Sequence, residues 1–147
     1  MTQKSKTKDF RDMVVRDVMT EHPLVVSATD SVGGAMAKLI EADVRHLPVV
    51  QDGALVGIVS DRDFHEALNI LFTNPARGQD HPWDRAVSTL MSSDVISVDP
   101  ECDLAEAIDT MIDQKVGALP VVEADSDQLV GIVSYIDILR AARAALG

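Results

Sequence analysis

Gly57-Ile58-Val59-Ser60-Asp61-Arg62-Asp63 returns later in the chain as Gly131-Ile132-Val133-Ser134-Tyr135-Ile136-Asp137. Each copy follows a Leu-Val pair, Leu55-Val56 or Leu129-Val130, and each runs into an apolar pattern of helical period. The apolar run reads as a buried strand. It ends in a hydroxyl residue, and a carboxylate follows three places on, in the opening turn of a helix. The product is a polar rim at a strand-to-helix corner, made twice.

Outward from these corners the whole chain repeats. Met19 aligns with Met91 at an offset of 91 − 19 = 72, which also carries Val26 onto Val98, Ala35 onto Ala107 and Ile40 onto Ile112. The same offset superimposes Val44-Arg45-His46-Leu47-Pro48-Val49-Val50 on Val116-Gly117-Ala118-Leu119-Pro120-Val121-Val122. Two residues inserted between Ala124 and Gln128 raise it to 131 − 57 = 74 for the corners. A register held this long marks a structural repeat.

Each repeat reads as strand, helix, strand, strand, helix. Leu24-Val25-Val26 and Ile96-Ser97-Val98 are short strands. Val32, Ala35, Met36, Leu39 and Ile40 stand at i, i+3, i+4, i+7 and i+8, an amphipathic helix; Leu104, Ala107, Ile108, Met111 and Ile112 repeat the stripe. Asp103 with Glu106 reads as a capping box for the second of these helices, whereas Gly33-Gly34 should weaken the first, capped by Ser31. The glycine pair is a tolerated defect or a mark of close approach. Leu47 to Val50 and Leu55 to Ser60 form a hairpin across Asp52-Gly53. Helices then run from Asp61 to about Phe72 and from Tyr135 to about Leu146.

The expected organisation is a mobile N-terminal tail over 1–12, a first repeat over 13–72, a linker over 73–84 marked by Asn74-Pro75, Gly78 and Pro82, and a second repeat over 85–147. One repeat has too little interior to stand alone, whereas a chain of 147 residues can bury roughly 68–70% of its unfolded surface. The expectation is one mixed α/β body, of the α+β type, with the repeats packed about a pseudo-twofold axis. Trp83 should pin the linker to the core or to a second subunit.

Composition narrows the function. Aromatics make up only 3% of the chain, so the core is aliphatic and a base-stacking platform is disfavoured. A net charge of −11 opposes contact with a nucleic-acid backbone. The single Cys102 forms no intrachain disulfide, and no stretch is long and apolar enough to span a membrane, so the expected location is the cytoplasm.

The twofold series Val-Met or Leu-Met, apolar strand, small-and-apolar helix, Leu-Pro-Val-Val and Leu-Val-Gly-Ile-Val-Ser-x-x-Asp resembles the cystathionine-β-synthase (CBS) domain pair, or Bateman module, over about residues 15 to 145. The resemblance implies two clefts between the repeats that take adenosine-containing ligands such as AMP, ADP, ATP or S-adenosylmethionine. By similarity Asp63 and Asp137 accept ribose hydroxyls, and Ser60 and Ser134 lie near ribose or phosphate. Arg45 and His46, just before the Leu-Pro-Val strand, are the basic groups for phosphate and could serve either cleft, Arg62 lies at the first site, and adenine meets main chain near Val25 and Ser97, across from Pro48 and Pro120. It also implies a homodimer, for which Ile136, Ile138, Leu139 and Leu146 supply apolar helix surface.

Physical chemistry supports the same assignment and also offers a plainer one. A carboxylate accepts both donors of a ribose diol in charge-assisted bonds, and a helix N-terminus favours an anion. Ser and Asp also cap helices with no ligand involved, and Arg45 suits a surface ion pair equally well. The corners differ in charge: Arg62 is matched by Ile136, and Arg45-His46 by Gly117-Ala118.

No nucleophile-base pairing, Gly-rich phosphate loop or metal-ligand spacing among His22, His46, His65 and His81 indicates an enzyme. Cys102 lies between Glu101 and Asp103, which should blunt it as a nucleophile. The reading is a stand-alone regulatory module, an energy sensor with no obligatory cofactor, that binds an adenine nucleotide and signals occupancy to a separate regulated protein. The alternatives are a ligand-free oligomerisation module and one that responds to Mg²⁺.

Overall fold

The computed structural model describes residues 8–73 and 81–147. Residues 1–7 of the expected tail, and Asn74, Pro75 and Gly78 of the expected linker, lie outside the described residues. In order, the elements are α1 (Val15–Val18), β1 (Thr20–Glu21), β2 (Val26–Ser27), α2 (Val32–Glu41), β3 (His46–Gln51), β4 (Ala54–Ser60), α3 (Asp61–Thr73), α4 (Leu104–Gln114), β5 (Ala118–Val122), β6 (Leu129–Ser134) and α5 (Tyr135–Leu146). The fold is mixed α/β, with tandem repeats.

The chain divides into two compact units that do not follow the sequence repeats. One comprises Met1–His22, Ser97–Ser126 and Val130–Gly147; the other comprises Pro23–Ile96 with Asp127–Leu129. The leader of the first repeat therefore belongs with the strands of the second. The leader of the second, Val87 to Ser92, belongs with the strands of the first.

In the unit containing Pro23–Ile96 the sheet order is β2-β3-β4. Strand β2 is parallel to β3, with Val26 opposite Val49, and β3 is antiparallel to β4, with His46 opposite Ser60. Ser92 adds an antiparallel bridge to Ile58 at the edge of β4. The hairpin turn places Asp52 at φ 53° and Gly53 at φ 81°, the left-handed pair that a two-residue turn requires. Val26, Ala35, Leu47, Val49 and Val59 fill the core together with Phe64 of α3. Trp83 packs against this core. A Cβ on Gly33 would lie 3.4 Å from the Trp83 Cβ, so the first of the paired glycines marks close approach of another part of the chain.

In the other unit the sheet order is β1-β6-β5, with Thr20 opposite Ile132 and Glu21 opposite Gly131. Val98 forms a parallel bridge to Val121, the counterpart of Val26 on Val49. Val15, Ala107, Leu119, Val121 and Val133 make the core. Within the expected tail, Phe10–Asp12 form a 3-10 turn capped by Asp9, and Lys8 Nζ pairs with Asp17 Oδ2 at 2.9 Å.

Two sequence expectations need correction. Asp103 makes no side-chain cap on α4; the Leu104 N–H donates instead to the Met13 carbonyl at 2.9 Å, so the leader terminates the helix. The cap of α2 is the one that forms, with Ser31 Oγ accepting from Gly34 N at 3.0 Å. Ile138 is not free apolar surface, because it packs against the core of its unit. Ile136, Leu139 and Leu146 are exposed.

Candidate functional site

At the first corner β4 ends in Ser60 and α3 begins at Asp61. The Ser60 N–H donates to Asp63 Oδ2 at 2.8 Å and its Oγ to the same oxygen at 3.2 Å, while the Asp63 N–H donates back to Ser60 Oγ at 3.4 Å. This is a capping box with Asp in the acidic position, so the pair does cap the helix. The box occupies one carboxylate oxygen only. Oδ1 of Asp63 accepts no hydrogen bond among the described residues, and the side chain is half-buried.

The charged groups expected beside it are arranged unevenly. His46 lies opposite Ser60 in the β3–β4 ladder. Burial pushes its imidazole pKa down, reinforced by Arg45 and opposed by Asp61 and Asp63. Arg45 is brought to the corner: its carbonyl accepts the Asp61 N–H at 3.0 Å, and its guanidinium lies 3.8 Å from Asp61 Oδ2. Arg62 is not, because its highly exposed side chain reaches along α3 to Glu66 at 4.0 Å. Of the first three amides of α3, those of Asp61 and Asp63 are taken by Arg45 O and Ser60 Oγ, which narrows the anion-binding capacity expected of this helix end.

The second corner repeats the box almost to the tenth of an ångström. Ser134 N and Oγ donate to Asp137 Oδ2 at 2.9 and 3.1 Å, and Asp137 N donates to Ser134 Oγ at 3.3 Å. Tyr135 N donates to Gly117 O at 3.0 Å, as Asp61 does to Arg45 O. One contact is new: Thr20 Oγ1 donates to Asp137 Oδ1 at 3.4 Å. Thr20 was not a sequence candidate. Its signal was the repeated Met-Thr and Met-Ser of the two leaders, but nothing in one sequence says that a leader packs on the opposite repeat's strand.

The remaining candidates lie along the strands. Pro48 and Pro120 are buried in β3 and β5, so their rings face packed protein. Val25 precedes β2, and its carbonyl accepts from Lys38 Nζ at 3.3 Å, a cation that the sequence reading did not single out. Ser97 is exposed, just before the Val98 bridge. Among the described residues no three His, Cys, Asp or Glu side chains cluster as metal ligands, and no helix is long and apolar enough to cross a membrane.

The geometry is thus a duplicated acid-hydroxyl corner with one open carboxylate oxygen at the first copy. The sequence profile of the CBS domain matches residues 15–70 and again 87–144, which covers both corners. The chain belongs to the CBS domain family. It is 32% identical over 124 residues to the CBS domain-containing protein YhcV of Bacillus subtilis, spanning 84% of this chain and 81% of that one.

Among solved CBS pairs, CBSX2 of Arabidopsis thaliana in complex with AMP is similar at 31% identity and a TM-score of 0.74, covering 91% of this chain and 98% of that chain. The CBS domain pair of MJ0100, in complex with methylthioadenosine and S-adenosylmethionine, is similar at 25% identity and a TM-score of 0.78, covering 90% and 98%. Several other curated relatives, enzymes among them, are longer: the chain spans 34% of one and 24% of another. In those proteins the CBS pair is one part of a larger chain.

Proposed function

We propose that this CBS pair binds an adenosine-containing ligand at its two Ser-x-x-Asp corners and reports occupancy to a regulated protein. Asp63 and Asp137 take ribose hydroxyls, with Ser60 and Ser134 beside ribose or phosphate. Arg45 and His46 make the first corner the one suited to phosphate, and adenine meets main chain near Val25 and Ser97, across from Pro48 and Pro120. The observation that carries the reading is the Asp63 carboxylate, held by Ser60 through one oxygen and open at the other. The similar pairs solved with AMP and with S-adenosylmethionine support the ligand class.

The ligand acts by population shift, favouring whichever arrangement of the chain it binds more tightly. The exposed Ile136, Leu139 and Leu146 of α5 support self-association into a homodimer, readable by sedimentation. Lone Cys102 suits a reducing compartment such as the cytoplasm.

Titration calorimetry with AMP, ATP, methylthioadenosine and S-adenosylmethionine tests the reading. At least one should bind saturably, and Asp63→Ala should weaken it roughly 10-fold or more, the worth of a charge-assisted hydrogen bond. If none of the four gives heat or raises the melting temperature at millimolar concentration, the proposal is wrong.

A further inference from the structure

The two corners are built alike but are not equally free. A carboxylate has about four lone-pair sites, two on each oxygen. At Asp63 the two Ser60 donors fill Oδ2, leaving both sites on Oδ1. At Asp137 the two Ser134 donors fill Oδ2 in the same way, and Thr20 Oγ1 takes one of the sites on Oδ1. A vicinal diol donates two hydrogens. Asp63 accepts both as it stands; Asp137 accepts both only after Thr20 gives way.

The difference resides in a side chain and not in the backbone. Thr20 and Ser92 are repeat equivalents, and each pairs antiparallel with the equivalent strand residue, Ile132 or Ile58. Each also follows a methionine whose sulfur covers the equivalent glycine, Gly131 or Gly57. Ser92 nevertheless makes no hydrogen bond to Asp63. Thr20 is β-branched, with fewer χ1 states than Ser, which favours holding its hydroxyl in one direction.

We propose that Thr20 sets the order in which the corners fill: its hydroxyl competes with ligand for Asp137, so an adenosyl ligand occupies the Asp63 corner first. The inference rests on the nucleotide reading above. Thr20 acts here as a positioning residue through Asp137, and its worth is that of one exposed hydrogen bond, about 5-fold in affinity.

The test isolates each corner. In an Asp63→Ala background, where Asp137 is the remaining carboxylate, Thr20→Val should tighten AMP and methylthioadenosine about 5-fold. In an Asp137→Ala background the same substitution should change nothing. Thr20→Ser keeps the donor and removes the methyl group that holds it in one direction, so in the Asp63→Ala background it should tighten binding by less than Thr20→Val does, and in the Asp137→Ala background it should change nothing. That variant separates the hydroxyl from the packing of β1. The proposal is overturned if Thr20→Val leaves binding unchanged or weakens it in the Asp63→Ala background, or if it acts equally in both. If wild-type protein binds neither probe, the nucleotide reading fails as well, and the proposal with it.

Discussion

Replacing Gly57 by Ala sets two opposed effects of similar size against each other, and the structure decides the sign. Gly57 lies in β4 with φ outside the left-handed region, so Ala costs no backbone strain and should stabilise by about 0.4–1 kcal/mol through the unfolded chain. The new Cβ, however, would sit 2.4 Å from Met91 Sδ, 3.0 Å from Met91 Cγ and 3.0 Å from the Ser92 carbonyl oxygen. The thioether can swing away. The oxygen cannot, because it accepts the Ile58 N–H at 3.0 Å while the Ser92 N–H donates to Ile58 O at the same distance.

Because the close oxygen is fixed backbone, overpacking falls in the upper part of its usual range, about 2–3 kcal/mol, so the net effect is a destabilisation of about 1–2.6 kcal/mol. At roughly 2–4 °C per kcal/mol for a chain of this size, the melting temperature should fall by roughly 2–10 °C. Gly131→Ala should do the same, since its Cβ would meet Met19 Sδ at 2.7 Å and Thr20 O at 2.9 Å. Calorimetric melting of Gly57→Ala, Met91→Ala and the double variant measures the coupling. The double should be less destabilised than the sum of the singles by about 1 kcal/mol. A Gly57→Ala protein as stable as wild type would refute the claim that this glycine exists to let the leader cross.

Removing residues through His22 should unfold strands of the second repeat while sparing those of the first. The deletion takes away fully buried Val15, strand β1 and the Met13 carbonyl that accepts the Leu104 N–H. Amide exchange should lose protection in β5 and β6 and keep it in β3. His46 should make stability sensitive to mild acid. With its pKa pushed below the ordinary 6.5, it binds a proton more readily in the unfolded chain. Its contribution is therefore whole above that value and drains away as pH falls through it towards the lower folded value. His46→Gln should flatten the curve of unfolding free energy below the ordinary histidine value. Cys102 should react sluggishly with iodoacetamide. Burial first, then Glu106, push its thiol up, so its rate should still be climbing at a pH where free cysteine has levelled off, and Glu106→Gln should quicken it.

Much of the architecture was legible because period and register are local properties. The helical stripe from Val32 to Ile40, the Asp52-Gly53 turn and the offsets of 72 and 74 locate elements that the structure places at Val32–Glu41, His46–Gln51 and Ala54–Ser60. The Ser60–Asp63 and Ser134–Asp137 pairs were legible for the same reason, since three residues separate their members. Long-range contacts were not legible. Met19 over Gly131 and Thr20 beside Asp137 join residues more than a hundred positions apart, and a repeat aligned to itself cannot say which copy a leader packs upon. The cap of α4 is such a case: Asp103 has the right chemistry, but the Leu104 N–H donates to the distant Met13 carbonyl instead. Adjacency in sequence puts Arg62 beside the corner, while helical geometry sets it one turn from Glu66.

The corner carboxylates raise the question of how one residue can hold the fold and also serve a ligand. The hydrogen bonds divide the labour by atom. Oδ2 of Asp63 accepts both Ser60 donors and closes the cap, so Asp63→Ala removes a cap worth about 1 kcal/mol along with any ligand contact. Asp63→Asn keeps a carbonyl oxygen that Ser60 can still address, but it puts an uncharged amide, a donor, in place of the other oxygen. That variant should melt close to wild type and yet bind an adenosyl ligand poorly, because a ribose hydroxyl would meet a donor where it needs an acceptor. A corner that existed only to cap α3 would tolerate Asn without consequence for any ligand. The gap between the stability and the affinity of Asp63→Asn therefore measures how far the open oxygen serves binding rather than folding.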